Sequence, residues 1–373
     1  RFHIVPALNL AICWKHFFNF SLESQSAGNL IDLEHLRILR DYTPQILCSQ
    51  IGVYAIKTKL PSTPLNKFKF YKSFSTIDLN SGSASRQKEN SYNPLFCSYL
   101  AGLIEGDGTI IVPKTERSNK GKLNYPSIQI VFDARDLPIA VILQKELGFG
   151  TLSKTKGSNS YRLSFNTGKS IFILTEMLNG YMRTVKINML NSLIDYLNIK
   201  NNMNILTKDL DVSPIDSNSW LSGFIEADGH FYVNYNKKAS SLSCKFYLNQ
   251  STQNHLGLDK IKIMETLSEF LNVKIASRGN KKFLDYREYS ITTNSVINNL
   301  KLINYLDKFP LFSSKHLNYL DFKSIVKMIE NKEHKIYGGI EKINLIKMGM
   351  NNRRKFFNWD HLQKFYTAYN DKI

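Results

Sequence analysis

Hydrophobic and polar positions along this chain follow one order, and they follow it twice. Residues 94–105 are apolar at nearly every position, as expected of a buried helix. Asn93-Pro94 ahead of them supplies a capping side chain and a proline suited to the first turn. Gly106-Asp107-Gly108 is expected to end that helix. Two β-rich runs, 109–115 and 123–132, then flank a basic, glycine-containing turn at 117–122 and predict a hairpin. An amphipathic helix is expected over 137–147. A second hairpin should join 150–155 to 161–166 around Lys156-Gly157-Ser158-Asn159, with helices over 170–178 and 186–197.

Residues 198–217 are polar, carry Pro214 and read as a connector. Beyond them the order returns: a helix over 218–226, a hairpin of 230–237 with 242–250, and a helix over 258–271. A further hairpin joins 273–277 to 286–293 through the basic turn 278–282. Leu242, Cys244, Phe246 and Leu248 alternate with Ser243, Lys245, Tyr247 and Asn249, the period-two pattern of a sheet with one buried and one polar face. Local echoes agree. Leu147-Gly148-Phe149-Gly150 falls where Leu271-Asn272-Val273-Lys274 falls, and Met182-Arg183-Thr184-Val185-Lys186 where Phe312-Ser313-Ser314-Lys315 does. The expected fold is α+β: two pseudo-symmetric αββαββα repeats, 94–197 and 218–332, each with an antiparallel sheet.

Outside the repeats the pattern breaks down. Residues 1–93 are expected to form a loosely structured extension, with a helix near 30–40 and a Ser-rich, charged linker at 81–90. Within it, Gln25-Ser26-Ala27-Gly28-Asn29 and Leu39-Arg40-Asp41-Tyr42-Thr43-Pro44 resemble the catalytic core of a group I intron read as codons; an ordinary linker is the alternative. The chain opens on Arg1, as a fragment, a processed product or an in-frame extension would, and shows no clean signal peptide. Residues 333–373 turn basic and then aromatic. Both a helical tail packed on the second repeat and an additional nucleic-acid contact are open readings.

Charge narrows the class of partner. A formal net charge of +18 favours a polyanion, with nucleic acid the default, although an AT-rich coding sequence would also enrich lysine. No apolar run reaches the length of a membrane span. The 4 cysteines are scattered, without a CxxC pair, and suggest neither a zinc site nor a disulfide framework.

The chemistry sits in the repeated stretch. Leu100-Ala101-Gly102-Leu103-Ile104-Glu105-Gly106-Asp107-Gly108 returns as Leu221-Ser222-Gly223-Phe224-Ile225-Glu226-Ala227-Asp228-Gly229. Gly102 and Gly223, beside Ala101 and Ser222, leave one face of each helix nearly bare, so two such helices can pack backbone to backbone. Asp107 and Asp228 would then meet at the foot of the seam. Two carboxylates so placed repel unless a cation lies between them, and oxygen donors are those Mg2+ prefers. A core helix with an acidic C-cap explains one such copy; it does not explain two with their acids in register.

These stretches resemble the signature of the LAGLIDADG homing endonucleases, in the single-chain form with two motifs. The resemblance covers residues 94–332. It implies a saddle of two four-stranded sheets in the major groove of double-stranded DNA, motif helices at the interface, and Mg2+-dependent cleavage of both strands of a long asymmetric target. It also implies a monomer with internal pseudo-twofold symmetry, often encoded in an organellar group I intron, hence a mitochondrial setting. Some members assist splicing, so binding of group I intron RNA as a maturase is the alternative function.

By position, the resemblance assigns Asp107 and Asp228 to the metal, joined by the carbonyls of Gly106 and Ala227. Lys186 and Lys315 are assigned to polarise the site, and Gln250 to organise water. Asp133 or Ala134 is expected where the first repeat would hold its glutamine, which predicts unequal halves. Glu105 and Glu226 are expected to be structural. Candidate DNA contacts are Lys114, Arg117, Lys120, Lys122, Lys154, Lys156, Arg162, Lys245, Tyr247, Arg278, Lys281 and Lys282.

Overall fold

The structure, a computed structural model, describes residues 92–280 and 283–369. The expectations for residues 1–91, including the helix near 30–40 and the intron-like phrases, fall outside the described residues, as do Lys281 and Lys282.

Each repeat begins with its motif helix. In α1 (Pro94–Asp107) the Asn93 side chain accepts from the Leu95 and Phe96 amides, satisfying two of the free donors at the helix start. The helix does not end on a left-handed glycine. Gly108 has φ −81° and ψ 157°, and the chain runs directly into β1 (Gly108–Ile111). Glycine is required there for space, because a Cβ would stand 2.6 Å from Ile104 Cα. The rest of the first repeat is β2 (Ser127–Asp133), α2 (Leu137–Leu147), β3 (Thr151–Lys154), β4 (Ser160–Phe165), α3 (Gly168–Leu178) and α4 (Ile187–Asn201). β1 is shorter than expected, since the stretch between it and β2 folds on itself as a loop with an Arg117–Leu123 bridge.

The second repeat follows the same plan: α5 (Trp220–Asp228), β5 (Gly229–Asn236), β6 (Ser241–Ser251), α6 (Ile261–Leu271), β7 (Ile275–Asn280), β8 (Phe283–Thr293), α7 (Val296–Lys308) and α8 (Lys315–Glu330). Each repeat therefore closes with two helices. The sheets are antiparallel, ordered β1-β2-β4-β3 and β5-β6-β8-β7. Helices α2 and α6 both stop at a left-handed residue, Gly148 (φ 74°) and Asn272 (φ 52°), at the places the sequence echo indicated.

One face of each sheet rests on helices. Ile128, Ile130, Leu163 and Phe165 are fully buried in the first, as are Phe246, Leu248 and Ile291 in the second. Each such side chain contributes about 1.5–3 kcal/mol relative to exposure. The opposite faces are open, with Thr109, Val131 and Arg162 exposed on one, and His230 and Tyr232 on the other.

After α8 the chain binds both repeats. Helix α9 (Gly339–Met348) lies by the edge strand β5, where Lys347 Nζ donates to Asn234 Oδ1 (2.7 Å) and Asn351 Nδ2 to the Phe231 carbonyl (3.0 Å). A sheet edge is thereby covered. The chain then crosses the seam near the N-terminal end of α1. Phe365 packs edge-on to Phe96, Tyr99 and Phe312, and the Asn93 amide donates to the Ala368 carbonyl (3.1 Å). The tail is thus a packed strap on both repeats, and past Met348 it runs as irregular chain with two short 3-10 helices, Asn351–Arg353 and Asp360–Lys364. No described helix is long and apolar enough to cross a membrane.

Candidate active site at the seam between the repeats

The two motif helices touch through their glycines. A Cβ on Gly102 would lie 2.0 Å from the Trp220 carbonyl oxygen, and one on Gly223 would lie 1.9 Å from that of Tyr99. Only glycine permits this approach. Ser98 Oγ and Ser219 Oγ, 121 residues apart, meet at 2.8 Å. Equivalent atoms in mutual contact mark a pseudo-twofold axis between the repeats.

The motif glutamates lock the seam to the loops between α3 and α4 and between α7 and α8. The Glu105 carboxylate accepts from the Arg183 and Thr184 amides, from Thr184 Oγ1 (2.5 Å), and across the seam from Trp220 Nε1 (2.6 Å). Glu226 repeats the arrangement with the Phe312 and Ser313 amides, Ser313 Oγ, and Tyr99 OH across the seam (3.2 Å). Burial pushes both carboxyls upward, and these donors oppose the rise. Both oxygens of each carboxylate are engaged, so the expected structural role fits the geometry.

Lys186 ends the first of those loops, and Lys315 opens α8 directly after the second. Lys186 Nζ donates to the carbonyls of Ile104 and Gly108, both at 2.8 Å. Lys315 Nζ donates to the carbonyls of Ile225 (3.0 Å) and Ala227 (2.7 Å). Both ammonium groups therefore sit at the C-terminal ends of the motif helices, where backbone carbonyls attract them. Burial lowers both, Lys186 to about 8.

Asp107 and Asp228 lie within electrostatic reach of both lysines. Asp107 opens on the cleft, yet the protein around it removes enough water that desolvation, reinforced by the charge of Asp228, pushes its carboxyl up to about 6. The second carboxylate reaches over the first helix: a Cβ on Gly106 would stand 2.1 Å from Ala227 Cβ and 3.2 Å from Asp228 Oδ2. Gln250 Nε2 donates to Asp228 Oδ2 at 2.6 Å. A cavity of about 300 Å³ opens beside Asp107, lined also by Phe132, Asp136, Ala227, His230 and Lys315. Among the described residues, no three His, Cys, Asp or Glu side chains converge as a metal cluster. Any cation here would be shared between two carboxylates, carbonyls and an incoming phosphate, an all-oxygen set of the kind Mg2+ accepts.

The register corrects one expectation. Gly108 pairs with Ile130 and Gly229 with Leu248, so the residue matching Gln250 is Phe132, neither Asp133 nor Ala134. Asp133 instead caps the following turn and pairs with Arg135 at 3.0 Å. Two further residues at the site escaped the sequence reading. Asp136 and Lys260 immediately precede α2 and α6, helices of 11 residues each, and so hold equivalent places. Lys260 Nζ donates to Gln250 Oε1 (3.1 Å), while Asp136 Oδ1 accepts from the Ser314 amide of the other repeat (2.7 Å). Aligning the repeats on their second helices, rather than on their motifs alone, would have exposed the pair.

The candidate DNA contacts separate into groups. Arg162 lies on the open face of the first sheet, paired in register with Val131 and Ser153. Lys245 and Tyr247 lie on the open face of the second, where Tyr247 packs edge-on to Tyr232. Lys114, Lys120, Lys122 and Lys156 are exposed in the hairpin loops. Arg117 is exposed there too, but its guanidinium donates to the Gly121 carbonyl (2.8 Å) and braces its own loop. Lys154 shares its register with Tyr161 and Phe132, at the strand end toward the helix-covered side. Arg278 pairs through its backbone with Glu288.

Two four-stranded sheets joined by glycine-packed helices, with paired acids at the seam, define a class, and comparison with known proteins bears on the same residues. The profile of the LAGLIDADG endonucleases matches residues 100–202 and 221–326, and the chain belongs to that family. It is similar to the intron-encoded DNA endonuclease aI3 of Saccharomyces cerevisiae, 33% identical over 301 residues, covering 72% of each chain. An uncharacterized cox1 intron-2 protein of Schizosaccharomyces pombe is 28% identical over 253 residues, covering 66% of this chain and 70% of its own. In fold it resembles the homing endonuclease I-GzeII, solved with its DNA target (TM-score 0.54, 19% identity, 71% of this chain and all of that one). It also resembles the meganuclease I-AabMI, solved with uncleaved DNA (TM-score 0.53, 22% identity, 70% of this chain and all of that one).

Proposed function

We propose that this protein is a site-specific DNA endonuclease that uses Mg2+ to hydrolyse both strands of a long, asymmetric target, and that it is encoded within a mitochondrial intron. The observation that carries the reading is the meeting of Asp107 and Asp228 at a glycine seam between two sheets with open faces. A structural acid needs no like-charged neighbour, and this pair is held together against its own repulsion. The intron-encoded relatives, one of them named for a cox1 intron, support the genetic setting.

In this reading Asp107 and Asp228 would hold the cation with the carbonyls of Gly106 and Ala227, the latter sharing its oxygen with Lys315 Nζ. When bound, it would supply Lewis-acid stabilisation of the negative charge building on the phosphoryl oxygen and make the attacking water more acidic. The protein's own part is positional and electrostatic. The open faces, with Arg162 on one and Lys245 and Tyr247 on the other, follow the groove and fix the scissile phosphates over the seam. Lys186 and Lys315, tied to helix-end carbonyls, place a positive charge beside each carboxylate where the transition state gains negative charge. Gln250, held on Asp228, presents an amide to the water at that side. A water oxygen bonds to phosphorus and gives up a proton to solvent, a phosphorus–ester oxygen bond breaks, and the departing oxygen takes up a proton in turn.

The test is incubation with Mg2+ and a duplex spanning the uninterrupted form of the gene that carries this reading frame. Cleavage at one position is expected. Intact folding and DNA binding without cleavage would overturn the reading.

A further inference from the structure

The axis relating the repeats does not extend to the side chains around the two acids. On the Asp228 side stand Gln250, Lys260 and Lys186. On the Asp107 side Phe132, Asp136 and Lys315 line one cavity with it, and each lysine, though bonded to the end of one motif helix, acts most strongly on the aspartate of the other. An amide faces a phenyl ring, and a cation faces an anion.

The consequences differ on each side. Lys260 Nζ bridges Gln250 Oε1 (3.1 Å) and Ser251 Oγ (3.0 Å), which fixes the Gln250 amide so that its NH2 points to Asp228 Oδ2 (2.6 Å). Lys260 also adds a positive charge felt by both Asp228 and Lys186. Across the axis Phe132 offers a water molecule no hydrogen bond, and Asp136 places a second carboxylate beside Lys315, offsetting its charge. Negative charge developing on a phosphate is better accommodated on the first side than on the second.

We propose that the two halves cut in a set order: the half built on Asp228 leads because Lys260 holds Gln250 in place, and the half built on Asp107 lags because Phe132 and Asp136 occupy the corresponding positions. Lys260 is a positioning residue that acts through Gln250, and Asp136 acts through the charge of Lys315. The inference rests on the endonuclease reading above.

The test uses the same duplex, labelled on one strand at a time. Each strand is also followed in a duplex already nicked in the other, which separates the two rates. One strand should be cut first, with a nicked intermediate accumulating. Lys260→Gln should slow that leading strand roughly tenfold while the lagging strand stays within about twofold. Lys260→Arg should restore it, and Asp136→Asn should speed the lagging strand several-fold. DNA binding in EDTA should be unchanged in all three variants, which reports intact folding independently of cleavage. Equal strand rates in the unaltered protein, or an equal effect of Lys260→Gln on both strands, would overturn the order while leaving the endonuclease reading intact. If neither strand is cut, both fail.

Discussion

Glu105, in the first motif helix, accepts the indole proton of Trp220, at the start of the second, at 2.6 Å. The same carboxylate holds the Arg183 and Thr184 amides, three and two residues ahead of Lys186. One buried acid therefore ties together both repeats and the loop that carries a candidate catalytic lysine, and Glu226 does the same from the other side with Tyr99.

Glu105→Gln keeps the shape but points an NH2 group at donors. At least one buried hydrogen bond is lost, at a cost of about 1–3 kcal/mol. A lower urea midpoint with an unchanged slope is expected. A variant as stable as the parent would show that the carboxylate does not hold the seam.

Gly102→Ala and Gly223→Ala should each destabilise by at least about 1–3 kcal/mol, because the new methyl meets backbone, which cannot rotate away. The effects should be similar for the two, given the near-identical clashes. Thermal unfolding checks this, and a neutral outcome at either position would contradict so close a seam.

The strap makes its own prediction. Phe365 contacts Phe96, Tyr99 and Phe312, which are wholly buried residues of both repeats. Phe365→Ala should cost about 2–4 kcal/mol. Lys355→Ala, at an exposed position, should cost nothing measurable by the same unfolding assay.

Stability should also fall in mild acid through His316. Its ring stacks on His361 at 4.2 Å, joining α8 to the strap. Burial, then the neighbouring His361, lowers His316 to about 4. An unfolded histidine takes up its proton near 6.5, so between about 6.5 and 4 the unfolded chain binds more protons than the folded one. The contribution is fully present above about 6.5 and is lost as pH falls toward 4, on the order of 2–3 kcal/mol. His316→Leu should flatten the dependence of unfolding free energy on pH in that window. The difference from the unaltered protein isolates this ring from the carboxylates, and an unchanged slope would contradict the assignment.

Much of this was legible in the sequence, for definite reasons. Helix 137–147 was placed to the residue, because its apolar stripe lies between Asp136 and the turn residue Gly148. The two motifs carried the seam, since a glycine flanked by small residues in an apolar helix has few other uses. Helix α7 was not foreseen: its Asn-rich face hides the period, and Asn299 is buried by bonding the Cys244 carbonyl (3.0 Å). The Gln250 counterpart was misplaced because sequence spacing counts residues, whereas strand pairing sets which one faces the site. Asp136 and Lys260 stayed hidden for a related reason. Their likeness is one of position, and their chemistry is opposite.

The central claim is that Asp107 and Asp228 form one composite hydrolytic site. It is tested most directly by following a duplex of the uninterrupted gene, with Mg2+, against the unaltered protein and against Asp107→Asn and Asp228→Asn. Cleavage of both strands by the unaltered protein is predicted, with either substitution reducing it by several orders of magnitude while DNA binding persists. Undiminished cleavage by the Asp107→Asn or Asp228→Asn variant, or its absence in a folded, DNA-binding parent, would contradict that claim.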